Sequence, residues 1–186
     1  MTVLPPFLFP PVSWFLDAAE SEEVVVATGG YFEKQSLRNR FYIGGPNDTL
    51  ALVVPVSHTG DKQLFTQTQI SRREKWSREH SHSLRSAYGK APFYEFYDYK
   101  ILPLLENTAL SLAELNQESI AVLCKAFDIP CPSFDPNSQA PEWTAQAPPV
   151  YPQVFEDRFG FRPKLSALDL LFNLGPEASD YLKLRP

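Results

Sequence analysis

Apolar and polar positions fall into blocks along the chain, and the period of each block predicts an element. Val24-Val25-Val26-Ala27-Thr28 is a β-branched apolar run without a charge, which predicts a buried strand broken by Gly29-Gly30. Arg40 to Ile43 and Thr49 to Val56 flank the turn-forming run Gly44-Gly45-Pro46-Asn47-Asp48 and predict a hairpin. Upstream, Pro10-Pro11 introduces Ser13-Trp14-Phe15-Leu16, a short helix closing in the acids from Asp17 to Glu23.

Three Ser-x-x-acid spacings predict helix starts. In such a box the serine oxygen takes the backbone N–H three residues on, while the acid reaches back to the serine N–H. Ser71-Arg72-Arg73-Glu74 opens a helix to about Tyr88, stopped by Gly89 and Pro92, with Trp76, His80, Leu84 and Tyr88 one turn apart on its face. Ser111-Leu112-Ala113-Glu114 opens another, whose core face is Leu112, Leu115, Ile120, Leu123 and Phe127, with Pro130 as its stop. Ser166-Ala167-Leu168-Asp169 opens a third, stopped by Gly175-Pro176, so the C-terminus is expected as a short docked helix. Residues 130–149, rich in Pro with Asn, Ser and Gln, are expected to lie over the surface as a loop. No internal repeat is present. These elements predict a single α/β domain over residues 1–186, a mixed sheet flanked by capped helices, with α+β as the alternative and the strand order open.

Composition changes this picture mainly through charge. The 186 residues are 44% hydrophobic and 13% aromatic, enough for a packed core. The net charge of −5 argues against duplex DNA or an anionic membrane as partner. It is unevenly spread: residues 1–30 hold four acids and no Lys or Arg, 31–90 hold ten Lys and Arg against five acids, and 91–186 hold thirteen acids against seven Lys and Arg. A basic middle in an acidic chain suits a local anionic ligand. Cys124 and Cys131 form no zinc spacing or disulfide framework and read as reduced thiols. The apolar start lacks a basic segment and is interrupted by four prolines, and no run reaches a membrane span, so a cytoplasmic location is expected.

The candidate chemistry centres on YFEKQSLRNR, Tyr31 to Arg40. As a strand it would place Lys34, Arg38 and Arg40 on one face; as a helix it would pair Lys34 with Arg38 and Gln35 with Asn39. Either geometry groups cations whose planar forks suit phosphate or carboxylate, beside amides able to bond a sugar. The competing account is a solvated basic face opposite Glu20, Glu22 and Glu23. His80, beside Trp76, is the candidate general base, and a structural histidine is its competing role. Trp76 and Tyr88 are candidates to stack on a ring, against plain core packing. His80 and His82 point to different sides of a helix, so no metal site is expected. No phosphate loop, dinucleotide fingerprint or nucleophile elbow occurs.

FEKQSLRNRFYI, LVVPVS, the spacing Trp76-x3-His80-x7-Tyr88, GKAPFYEFY and VYPQVFEDRFGFRPKLSALDLLFNLGPEASDYL together resemble the WbqC-like protein family. The likeness covers nearly the whole chain in order. Phe32, Lys34, Gln35, Arg38, Asn39, Arg40, Trp76, His80, Tyr88, Tyr151, Gln153, Phe155, Ser166 and Asp169 fall on its motif positions. Leu4-Pro5-Pro6 and Ala27-Thr28-Gly29-Gly30 depart from the pattern, as does the short Pro-rich segment. The resemblance implies a bacterial transferase of acyl or aminoacyl groups to a nucleotide-linked amino sugar in surface-polysaccharide or sugar biosynthesis, with no cofactor. On that account Lys34, Arg38 and Arg40 clamp phosphates, Gln35, Asn39 and Gln153 bond sugar or acyl groups, Trp76 or Tyr88 stacks, and His80 takes the proton. The alternatives are a non-catalytic module for an anionic nucleotide or RNA, and an interaction subunit.

Overall fold

Thr2–Leu4 (β1), Val12–Ala19 (α1) and Val24–Gly29 (β2) form a βαβ unit in the computed structural model, which describes residues 1–57, 62–72, 75–107 and 110–183. β1 and β2 pair in parallel, Thr2 opposite Val24 and Leu4 opposite Val26. A parallel pair requires a crossover, and α1 supplies it. Pro11, extended at φ −67° and ψ 162°, caps α1. Its missing N–H costs nothing at a helix start, where that group has no intrahelical partner. Val12, Trp14 and Phe15 are fully buried, and the Trp14 indole N–H donates to the Pro5 carbonyl at 3.0 Å.

The apolar run of β2 is explained by its place at the centre of a three-stranded parallel sheet, between β1 and Ser133–Gln139 (β5). β5 corrects one expectation: within the Pro-rich segment, residues 133–139 form a strand, while 140–149 have no regular structure. Its sequence, SFDPNSQ, alternates poorly and contains Pro136. An edge position tolerates both, because one side of an edge strand needs no ladder N–H. Gly29 is required where β5 comes close: a Cβ there would meet the Ser138 carbonyl oxygen at 2.5 Å and that of Pro136 at 2.7 Å.

Arg40–Gly45 (β3) and Asp48–Val53 (β4) form the expected hairpin, Arg40 opposite Val53 and Gly45 opposite Asp48. Only Pro46 and Asn47 make the turn, so the outer residues of the turn-forming run join the ladder. Parallel and antiparallel pairing are both present in this α/β fold, divided between the three-stranded sheet and the hairpin.

Trp76–Tyr88 (α2) packs on β3 and on Tyr94–Glu106 (α3), which packs on Leu112–Ala126 (α4). Of the box expected at the start of α2, Arg73 and Glu74 lie outside the described residues, and Lys75 caps the helix without a side-chain bond. The box of α4 is complete: Ser111 Oγ accepts the Glu114 N–H at 3.3 Å, and Glu114 Oε2 accepts the Ser111 N–H at 2.7 Å. Those bonds hold the Glu114 carboxyl below its ordinary pKa. Glu156–Phe159 (α5), Ala167–Leu174 (α6) and Ala178–Lys183 (α7) complete the chain, and α1 packs on both α6 and α7. Ser166 Oγ caps α6 by accepting the Leu168 N–H at 3.2 Å, two residues on rather than three, so the helix start is capped without the expected box and Asp169 turns elsewhere. One core joins these layers through Trp14, Phe15, Phe41, Phe65, Tyr88, Phe127 and Phe172. Each such side chain contributes about 1.5–3 kcal/mol through burial. No described helix is long and apolar enough to cross a membrane.

Candidate functional site

The basic stretch is neither strand nor helix before Arg40; residues 34–39 run through turns, with Gln35 in the left-handed region at φ +58°. Lys34 and Gln35 are exposed. Arg38 is only 6% exposed. Its Nη1 donates to the Tyr31 carbonyl at 2.8 Å, its Nη2 meets Glu33 Oε1 at 3.4 Å, and its guanidinium lies 5.5 Å over the Phe65 ring. Burial lowers its pKa and Glu33 pulls it back up. Its backbone carbonyl accepts from Asn116 of α4 at 2.9 Å. Asn39, also buried, clasps the residue after β4: its Nδ2 donates to the Val54 carbonyl at 2.9 Å, and its own carbonyl accepts the Val54 N–H at 2.8 Å. Arg40 begins β3, its Nε buried without a partner.

His80 meets this region from α2. Its ring bonds the backbone of Val53, next to the residue that Asn39 holds, and packs edge-on against Phe41 at 6.0 Å and against Trp76 at 5.3 Å. Burial pushes its pKa down to about 4, with the Val53 bond opposing, so the imidazole is neutral at ordinary pH. Trp76 is buried and donates to the Ser71 carbonyl at 3.3 Å. Both side chains pin α2 to the hairpin. A stacking surface or a proton acceptor needs an open face, and these two present little of one.

Tyr88 and Gln153 converge on Asp169, which the sequence placed in a capping box and on a family motif position without a site role. Asp169 Oδ2 accepts from the Tyr151 hydroxyl at 2.8 Å and from Gln153 Nε2 at 2.9 Å, and the carboxyl also bonds Tyr88. The Tyr88 hydroxyl accepts the Gly44 N–H at 3.1 Å, tying α2 to the hairpin. Gln153 also bonds both backbone groups of Arg162, at 3.1 Å and 2.8 Å. Burial raises the Asp169 carboxyl to about 6 against the pull of these donors and of Arg162, and it raises both phenols well above their ordinary range. Asp169 Oδ1 and Arg162 Nε and Nη1 are buried without partners. This polar knot locks α2, the hairpin and the C-terminal segment together.

An accessible concave surface lies beside Arg38. A cleft of about 430 Å³ is lined by Arg38, Glu33, Ser36, Phe7, Trp143 and Glu142, among others. Phe7 and Trp143 meet edge-on with centroids 5.3 Å apart, and Trp143 Nε1 donates to Asp17 Oδ2 at 2.7 Å. Of the site residues expected from the sequence, Arg38 alone lines this cleft; Lys34 and Gln35 stand on its flank in chain order, and Arg40, Asn39, His80 and Trp76 gather around the hairpin instead. Glu33, Glu142 and Trp143 carried no periodic signal, because the chain brings them together only through the irregular segment after β5.

The fold is thus an α/β domain whose hairpin, second helix and C-terminal motif are tied by buried polar groups. The chain belongs to the WbqC-like protein family, whose model matches residues 5–136 and 131–181. Comparison with curated proteins and with solved structures gave no match.

Proposed function

We propose that the chain is a transferase that holds a nucleotide-linked amino sugar in the cleft beside Arg38 and passes an acyl or aminoacyl group to its amine. The cleft's set of groups carries this reading: a guanidinium, two carboxylates and two rings around about 430 Å³, within the size range of small-ligand sites. The guanidinium suits a phosphate, since planar N–H donors match its oxygens. Phe7 and Trp143 suit the apolar face of a sugar, and Glu33 and Glu142 suit its hydroxyls and amine. In the step implied, the amine attacks the carbonyl carbon of an activated acyl donor and the bond to the leaving group breaks. The amine's surplus proton passes to Glu33 or Glu142. His80, neutral and enclosed by rings, takes a structural part. A module that binds the same ligand without chemistry is the second reading, favoured by the burial of that one histidine.

Calorimetric titration with UDP-glucosamine, against UDP and free glucosamine, tests the binding half. Trp143→Ala and Arg38→Lys are each expected to weaken UDP-glucosamine by about tenfold, because one loses the ring surface and the other the planar fork. Affinity unchanged in both variants refutes the site. Mass-spectrometric detection of an acylated sugar, lost in Glu33→Gln or Glu142→Gln, separates the transferase from the binding module.

A further inference from the structure

A second cleft, about 600 Å³, opens between α1, the end of α7 and residues 146–149. Ser13, Leu16, Asp17, Glu20, Pro148 and Leu182 are among its lining residues. The segment that forms its far wall is anchored: the Tyr181 hydroxyl of α7 donates to the Pro149 carbonyl at 2.5 Å, and Pro148 is buried. The walls are therefore built from packed elements.

Three observations give this cleft a sign and a shape. Asp17 and Glu20 stand at the C-terminal end of α1, where the unpaired carbonyls of a helix already concentrate negative charge. Asp17 is half-buried; burial raises its carboxyl, the Trp143 bond opposes this, and the charge of Glu20 raises it further. The neighbouring charge that acts on it there is thus another acid, and the positive charge on the lining, Lys183, is exposed. Ser13 is 2% exposed, lines the cleft, and its hydroxyl is buried with no hydrogen-bond partner. A hydroxyl without a partner inside a protein is uncommon and calls for a ligand group or an ordered water. Around these polar groups, Leu16, Pro148, Pro149 and Leu182 offer an apolar wall.

We propose that this cleft binds a small primary ammonium ion carried on an apolar body. Asp17 and Glu20 receive the ammonium group, the Ser13 hydroxyl accepts one of its N–H bonds, and the leucines and prolines cover the hydrocarbon. Trp143 uses Asp17 Oδ2, which leaves Oδ1 for the ligand. An ammonium ligand here requires no particular occupant in the cleft beside Arg38. Trp143 lines that first cleft and bonds the acid of the second, so each ligand bears on the same indole.

Benzylamine is the probe and benzyl alcohol its neutral match, each titrated into the full chain and followed through backbone amide shifts. Benzylamine is expected to move amides of residues 17–21 and of Gln146 and Ala147, with benzyl alcohol weaker by about twofold to fivefold, the worth of a partly exposed charge pair. Asp17→Asn, which keeps an oxygen for Trp143, and Glu20→Gln, on the exposed rim, should each bring benzylamine toward the alcohol. Ser13→Ala should weaken binding while leaving the unliganded fold intact, since that hydroxyl has no partner to lose. Equal affinity for amine and alcohol, an unchanged titration in Glu20→Gln and Asp17→Asn, or shifts confined to other parts of the chain would each overturn the proposal.

Discussion

Acidifying the protein from about pH 7.5 to about pH 5 acts on two buried groups with opposite sign. His80 has an unfolded value near 6.5 and a folded value of about 4. Its stabilising contribution is complete above the unfolded value and is lost as pH falls, because the unfolded chain takes up the proton first. At about pH 5 the unfolded imidazole is mostly charged and the folded one is not, a cost of about 2 kcal/mol. Asp169 runs the other way, from 3.8 unfolded to about 6 folded. Its folded carboxyl binds a proton more tightly than the unfolded one, so stability rises as pH falls through the folded value. The gain at about pH 5 is about 1.4 kcal/mol. The wild-type chain should therefore lose only about half a kcal/mol from these two groups over this interval. The variants expose the cancellation. His80→Gln, which keeps a donor for the Val53 backbone, should become more stable on acidification by about 1.4 kcal/mol relative to its own value at neutral pH. Asp169→Asn should lose about 2 kcal/mol over the same interval. Urea unfolding followed by tryptophan fluorescence at both pH values, with wild type as the reference for every other titrating group, measures the slopes. If both variants keep the wild-type slope, the two groups are not held as their burial and contacts imply.

Two further outcomes follow from local geometry. Ser111→Ala removes the Oγ acceptor of the α4 box and leaves the backbone N–H to Glu114, so it should lower stability by about 1 kcal/mol, read as a shift in urea midpoint at constant slope. Gly44→Ala places a Cβ 2.6 Å from Arg162 Nη2 and 3.1 Å from Leu165 Cδ1, inside the polar knot. It should cost about 2 kcal/mol, whereas Gly160→Ala, whose Cβ meets nothing within 4 Å, should cost only the strain of its positive φ.

The sequence by itself determined the elements whose causes are local. Val24 to Thr28 is a strand because β-branched apolar residues suit a doubly covered ladder. The α4 helix starts where Ser111 and Glu114 can cap each other, and the hairpin turns where Pro46-Asn47 stands between two extended runs. The family motifs likewise lie in contiguous strings. α3 was missed because its buried positions, Tyr94, Ile101 and Leu105, are sparse among exposed aromatics, and Pro103 looks like a stop. The tertiary structure alone decided what depends on distant partners. β5 has no strand pattern of its own and exists because β2 offers it a ladder. Asp169 sits at a capping position, yet it serves Tyr88, Tyr151 and Gln153, which reach it from another helix and an irregular segment. Arg38 was legible as a cation, but Glu142 and Trp143 beside it were not, and neither was the bond from Trp143 to Asp17, which spans 126 residues. Capping, turn chemistry and apolar period act within a few residues and leave a trace in the order of the chain. A polar contact across the fold leaves no such trace, because only packing brings its two ends within reach.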